Sequence, residues 1–93
     1  MKSNLAVAIK EQEIGYVSNF FGQISVAAIE ITAGELHVGD KIRIVGHTTD
    51  FKMAIESMQI EHASVESAVK GDSIGIKVTE KARRNDKVVK LVD

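Results

Sequence analysis

Val38-Gly39-Asp40-Lys41-Ile42-Arg43-Ile44-Val45 settles the fold class of this chain. Ile42 and Ile44 alternate with charged neighbours at a period of two, which puts them on one face of a strand. The tripeptide ahead of them reads as a turn. Its glycine takes a left-handed conformation at little cost, and its aspartate side chain can accept a backbone N–H. The same device stands at Lys70-Gly71-Asp72, ahead of Ser73-Ile74-Gly75-Ile76, and at Arg84-Asn85-Asp86, ahead of Lys87-Val88-Val89. Three such turns, each feeding an alternating Val/Ile run, predict an all-β domain with an antiparallel sheet.

Working outward, Glu13-Ile14-Gly15-Tyr16-Val17-Ser18 opens the sheet, and Lys87-Val88-Val89-Lys90-Leu91-Val92 closes it. Two longer runs slip in parity. Ile24 and Val26 share one face, whereas Ile29 and Ile31 fall on the other; Met53 and Ile55 stand in the same relation to Met58 and Ile60. An extra residue in each run would bring both pairs inside, so β-bulges are expected near Ala27-Ala28 and Glu56-Ser57. Bulges bend and twist a strand, as closing a small barrel requires. Ala63–Val69 reads as a short helical turn or loop, with Val65 and Ala68 capping one end of the barrel.

At 93 residues the chain has the length of one domain. Apolar residues make up 44%, enough for a core of its own. The absence of cysteine excludes a disulfide scaffold, a thiolate zinc site and a cysteine nucleophile. A net charge of −1 argues against a binder of duplex DNA, which usually carries a basic excess. No apolar run reaches the roughly 20 residues of a membrane span, and a cytoplasmic setting is the expectation.

Signals of catalysis are scarce. Neither a phosphate-cradling G-x-x-x-x-G-K-[ST] loop nor a G-x-G-x-x-G sequence is present. His37, His47 and His62 lack the spacing of a metal site on one helix face, so no metal or cofactor is expected. Glu56 and Glu61 read as solvated strand carboxylates. Phe20-Phe21-Gly22 reads either as an exposed platform for a base or a partner, or as one core aromatic beside one that is partly covered. Lys77, Lys81, Arg83, Arg84, Lys87 and Lys90 form either a phosphate-binding edge or the charged border of an edge strand.

Glu35-Leu36-His37-Val38-Gly39-Asp40-Lys41-Ile42-Arg43-Ile44-Val45-Gly46 resembles a segment of the second domain of elongation factor Tu and its relatives. Ser57–His62 and Ala68–Ile76 are similar to the stretch that follows it there. The likeness runs over about residues 12–92. Gly46–Phe51 and Ile55–His62 look more specifically like stand-alone translation elongation factor-like proteins, and like the C-terminal barrel of collagenase-like peptidases. The resemblance implies a six-stranded antiparallel closed β-barrel of the translation-factor domain 2 type over residues 12–93, with residues 1–11 as an N-terminal extension or additional edge strand.

The same resemblance implies a non-enzymatic binding module. Its partner would be an RNA end of tRNA type, or a protein of the translation or RNA-modification apparatus. An accessory subunit of a separately encoded collagenase-like enzyme is the alternative. The nucleotide domain of the GTPases has no counterpart here, so GTP binding is not implied. Gln59 falls where the elongation factors carry a glutamate near the terminal adenosine. The partner-contact face is expected to comprise His47, Thr48, Thr49 and Asp50 of the Gly46–Phe51 loop with neighbouring Gln59 and Glu61. Equally open is that Asp50 and the threonines cap their own backbone.

Overall fold

The computed structural model describes residues 10–92. Ten strands account for its regular structure: β1 (Lys10–Phe21), β2 (Val26–Ile31), β3 (Glu35–His37), β4 (Lys41–Val45), β5 (Asp50–Ala54), β6 (Met58–Ile60), β7 (Ala63–Ser64), β8 (Ser67–Val69), β9 (Ser73–Lys77) and β10 (Lys87–Val92). Eight form one antiparallel sheet in the order β5-β4-β10-β1-β2-β9-β6-β7. The other two, β3 and β8, pair antiparallel as a separate ribbon.

The all-β expectation holds, but the closed six-stranded barrel does not: the sheet is open. Its edge strands β5 and β7 share no ladder. The run from Lys52 to Ile60 is two strands rather than one bulged strand. Between them Ile55 still pairs with the residues just ahead of β4, donating its N–H to Asp40 O at 2.9 Å and accepting from Gly39 N–H at 2.8 Å, and the chain leaves that pairing at Glu56-Ser57 before Met58 joins β9. A groove of about 210 Å³ then separates Lys52–Ala54 from Lys77–Thr79. A barrel would have to close across that gap.

The ladders place buried residues opposite one another. Ile74 faces Ile29, Ile76 faces Ala27 and Met58, and Ile44 faces Phe51 and Val88. Leu36 faces Ala68 in the β3–β8 ribbon, which packs on the core; the anticipated helical turn or loop at Ala63–Val69 is instead two short strands, β7 and β8. Ile42, Ile44, Ile74 and Ile76 are all at most 2% exposed.

Bulges exist, but on β1 and in neither of the two runs expected to hold them. β2 alternates without a slip, burying Ala27, Ile29 and Ile31; Ile24 and Val26 face outward. The extra residue opposite Ala28 and Ile29 is Ser18 of β1, since Val17 pairs with Ile29 and Asn19 with Ala28. A second shift in β1 skips Ile14, as Val88 pairs with Gly15 and Val89 with Glu13. Ile14 and Val17 can thereby both enter the core despite a spacing of three. Gly15 is required at this bend because a Cβ would overlap the carbonyl oxygen of Glu30. Residues 1–9 of the proposed N-terminal extension lie outside the described residues. Lys10 and Glu11 begin β1, opposite Val92 and Leu91.

The three glycine- or asparagine-aspartate turns are alike in structure. Gly39, Gly71 and Asn85 have φ of 99°, 97° and 75°. Asp40, Asp72 and Asp86 each accept a backbone N–H three residues earlier, from His37, Val69 and Arg83, all at 2.8 Å.

Candidate functional site: an outer-face groove on strands β2, β9 and β6

Outward-facing positions on the central strands carry small side chains. Gly75 lies between Ala28 of β2 and Gln59 of β6 in the ladders. This low floor makes a depression of about 440 Å³. Phe21, Ile24 and Val26 wall one end, and Gln59, Glu61 and His62 the other. Phe21 and Ile24 are 47% and 57% exposed, among the few large apolar side chains left in water. Phe20, its neighbour on the opposite face, packs against the core.

The polar wall stands on a tight hairpin. Glu61 and His62 form the two-residue turn between β6 and β7, with φ of 49° and 69°. Two positive φ values define the turn that matches strand twist, and Asn-Gly is its usual occupant. Side chains at both positions cost backbone strain. Both line the groove.

The six residues expected at a partner face fall into two groups. Gln59 and Glu61 line the groove. His47, Thr48, Thr49 and Asp50 belong to the β4–β5 hairpin at the opposite end of the sheet order, and none of them lines it. Thr49 is 6% exposed, and its carbonyl accepts the Gly46 N–H at 2.7 Å. Asp50 takes two hydrogen bonds from Arg43, from Nε at 2.7 Å and Nη2 at 2.8 Å, while Arg43 Nη1 reaches Glu11 at 2.8 Å. Those guanidinium hydrogen bonds hold the Asp50 carboxyl below the usual range, with a smaller coulombic contribution from Lys52. The Arg43 guanidinium is held further toward its charged form by Asp50 first and Glu11 second. His47 and Thr48 are exposed.

Sequence reasoning missed Ile24, Val26, Ala28, His62, Ser73 and Gly75 as one lining. The available signal was the parity slip: the apolar pair outside the core, Ile24 and Val26, is the pair at the groove. Among the described residues no cluster of three or more His, Asp or Glu could hold a metal, and no helix is long and apolar enough to cross a membrane.

Comparison with known proteins places this architecture. The family model described as Elongation factor Tu domain 2 matches residues 25–89. The chain belongs to the elongation factor Tu domain 2 family. Its similarity extends to longer proteins. It is 44% identical over 80 residues to an uncharacterized protease of Methanocaldococcus jannaschii, covering 85% of this chain and 19% of that protein. It is 41% identical over 79 residues to a collagenase of Porphyromonas gingivalis, covering 84% of this chain and 22% of that one. The chain thus spans about a fifth of the length of these relatives. Its fold matches the crystal structure of the C-terminal domain of a Geobacillus thermoleovorans protein assigned to the U32 peptidases. The TM-score is 0.79 at 17% identity, over 85% of this chain and 91% of that one. All the groove residues except Phe21 and Ile24 lie inside the matched family segment.

Proposed function

We propose that this domain is a non-enzymatic binding module whose groove receives the terminal nucleoside of a single-stranded RNA end. The observation that carries the reading is the pairing of exposed Phe21 and Ile24 with Gln59 across a floor of Gly75 and Ala28. A base stacks on aromatic and aliphatic side chains whatever its sequence. Gln59 offers both a donor and an acceptor, and His62 and Ser73 add further polar groups. Elongation factors carry a glutamate at the position of Gln59; the amide keeps an acceptor without the charge. In this reading the protein is cytoplasmic, works with RNA of the translation apparatus, and binds neither GTP nor ATP as a triphosphate.

Titration of the labelled protein with adenosine, followed by amide NMR, tests it. Shifts should concentrate at residues 21–28, 59–62 and 73–75. Gly75→Val would fill the floor: the glycine's φ is not positive and a Cβ there meets only Val26 at 3.6 Å, so the fold should persist while the shifts disappear. Absence of shifts at millimolar adenosine would sink the reading.

A second reading draws on the relatives. The relatives that carry the matching segment are described as a protease and a collagenase, and in this reading the domain serves a separately encoded enzyme of that kind. Co-expression with such an enzyme, followed by size-exclusion chromatography, distinguishes a stable complex from two separate peaks.

A further inference from the structure

A second depression lies further along the chain of β9. Ser73 and Gly75 line the nucleoside groove; Lys77 and Thr79, two and four residues on, line the groove of about 210 Å³ at the open seam of the sheet. Gly75 to Lys77 is about 7 Å at the rise of a strand. Across the seam stand Lys52 and Ala54 of the edge strand β5. The Gly46 N–H to Thr49 carbonyl bond sets the alternation of the β4–β5 hairpin. Phe51 and Met53 therefore exchange backbone bonds with β4, and Lys52 and Ala54 turn their N–H groups out to the open edge. The second depression is thus lined by two lysines, a threonine and an edge strand with outward N–H donors. Neither Lys52 nor Lys77 forms an ion pair with a carboxylate among the described residues. Glu56 is the one carboxylate on its rim.

We propose that this seam is a phosphate subsite: Lys52 and Lys77 hold the phosphodiester that links the terminal nucleoside to the nucleotide before it. The proposal rests on the nucleoside reading of the adjoining groove. It explains how a chain of net charge −1 can meet RNA, because the contact is one local phosphate and not a basic face. Lysine suits the task as a point charge, and backbone N–H groups complete the cradle.

The test compares adenosine, the dinucleotide CpA and its uncharged methylphosphonate analogue by calorimetry at low salt. CpA should bind about tenfold more tightly than adenosine, the scale of a charge-assisted contact, and the analogue should not. Lys52→Gln and Lys77→Gln should each remove most of that gain and leave adenosine affinity unchanged. Glu56→Gln should enlarge it. Adenosine binding without a gain for CpA would overturn the subsite and leave the nucleoside groove standing. A gain that survives in the analogue or in the lysine variants would assign it to the cytosine and also overturn the subsite. Binding of neither ligand would overturn both readings. An acidic hexapeptide shifting the amides of residues 52–56 and 77–79, with CpA inert, would replace the phosphate by a protein partner.

Discussion

Gly46 lies flush against the carboxylate of Asp86: a Cβ on the glycine would overlap Asp86 Oδ1. The aspartate cannot retreat easily, because it is 5% exposed and its Oδ2 holds the Arg83 N–H at 2.8 Å. The main chain of Asp86 also donates to Arg83 O at 3.1 Å and accepts from Val17 at 2.8 Å. The end of β4 and the turn entering β10 are thereby locked together. Gly46→Ala should lower stability by about 1–3 kcal/mol, the range for overpacking. Chemical denaturation measures it; a loss under 0.5 kcal/mol would show that the turn yields.

Asp40, Asp72 and Asp86 make the same side-chain contact in three surroundings, so their alanine variants should differ by burial. Asp86 is buried, while the bonds of Asp40 and Asp72 are exposed. Asp72→Ala should cost about 0.5–1 kcal/mol, as for a lost cap. Asp86→Ala should cost about 2 kcal/mol, because it empties a buried position and leaves the partly buried Arg83 N–H unpaired. Urea midpoints of the two variants, compared at equal slope, decide the order.

The Arg43–Asp50 pair predicts an acid limb of stability. Its carboxyl is held below its ordinary value of 3.8 in the folded chain. The contribution is complete above the unfolded value and is lost as pH falls through the lower folded value, when the carboxyl takes up a proton. Asp50→Asn should flatten this part of a Tm-against-pH profile and leave the Tm at neutral pH lower. An unchanged acid limb would assign the acid sensitivity to other carboxylates.

Within the β4–β5 loop, His47→Ala should leave Tm unchanged, since the side chain is exposed. Thr49→Ala should lower stability by about 1 kcal/mol, because Thr49 is 6% exposed and sits where the hairpin closes. Equal behaviour of the two would show that the loop does not hold its threonine inside.

Ile44 and Ile76 are at most 1% exposed and lie opposite other buried side chains on both sides of their ladders. Either replaced by alanine should cost about 2–5 kcal/mol in denaturant titration. A cost below 1 kcal/mol would mean that the core collapses into the space.

What the chain's own periodicity fixes is local. Alternation at Lys41–Val45, Ser73–Lys77 and Lys87–Val92 is a property of neighbouring residues, and the strands formed there. The three aspartate turns are likewise decided by short-range sterics and one side-chain bond each. Gln59 and Glu61 could be singled out by position, and they do share a groove. Other features depended on which strand met which. A parity slip says that an apolar pair is out of phase, but not whether a bulge, a strand break or an outward face resolves it. Packing chose an outward face for Ile24 and Val26, a break at Glu56-Ser57 and bulges on β1, where nothing in β2 or β5 could signal them. The open seam has the same origin. After Ile55, which still bonds to Gly39 and Asp40, the chain leaves β4 at Glu56-Ser57 and pairs with β9 from Met58, a choice between partners distant in sequence. The groove floor also belongs to the tertiary structure, because Ala28, Gly75 and Gln59 become neighbours only through the β2–β9 and β9–β6 ladders.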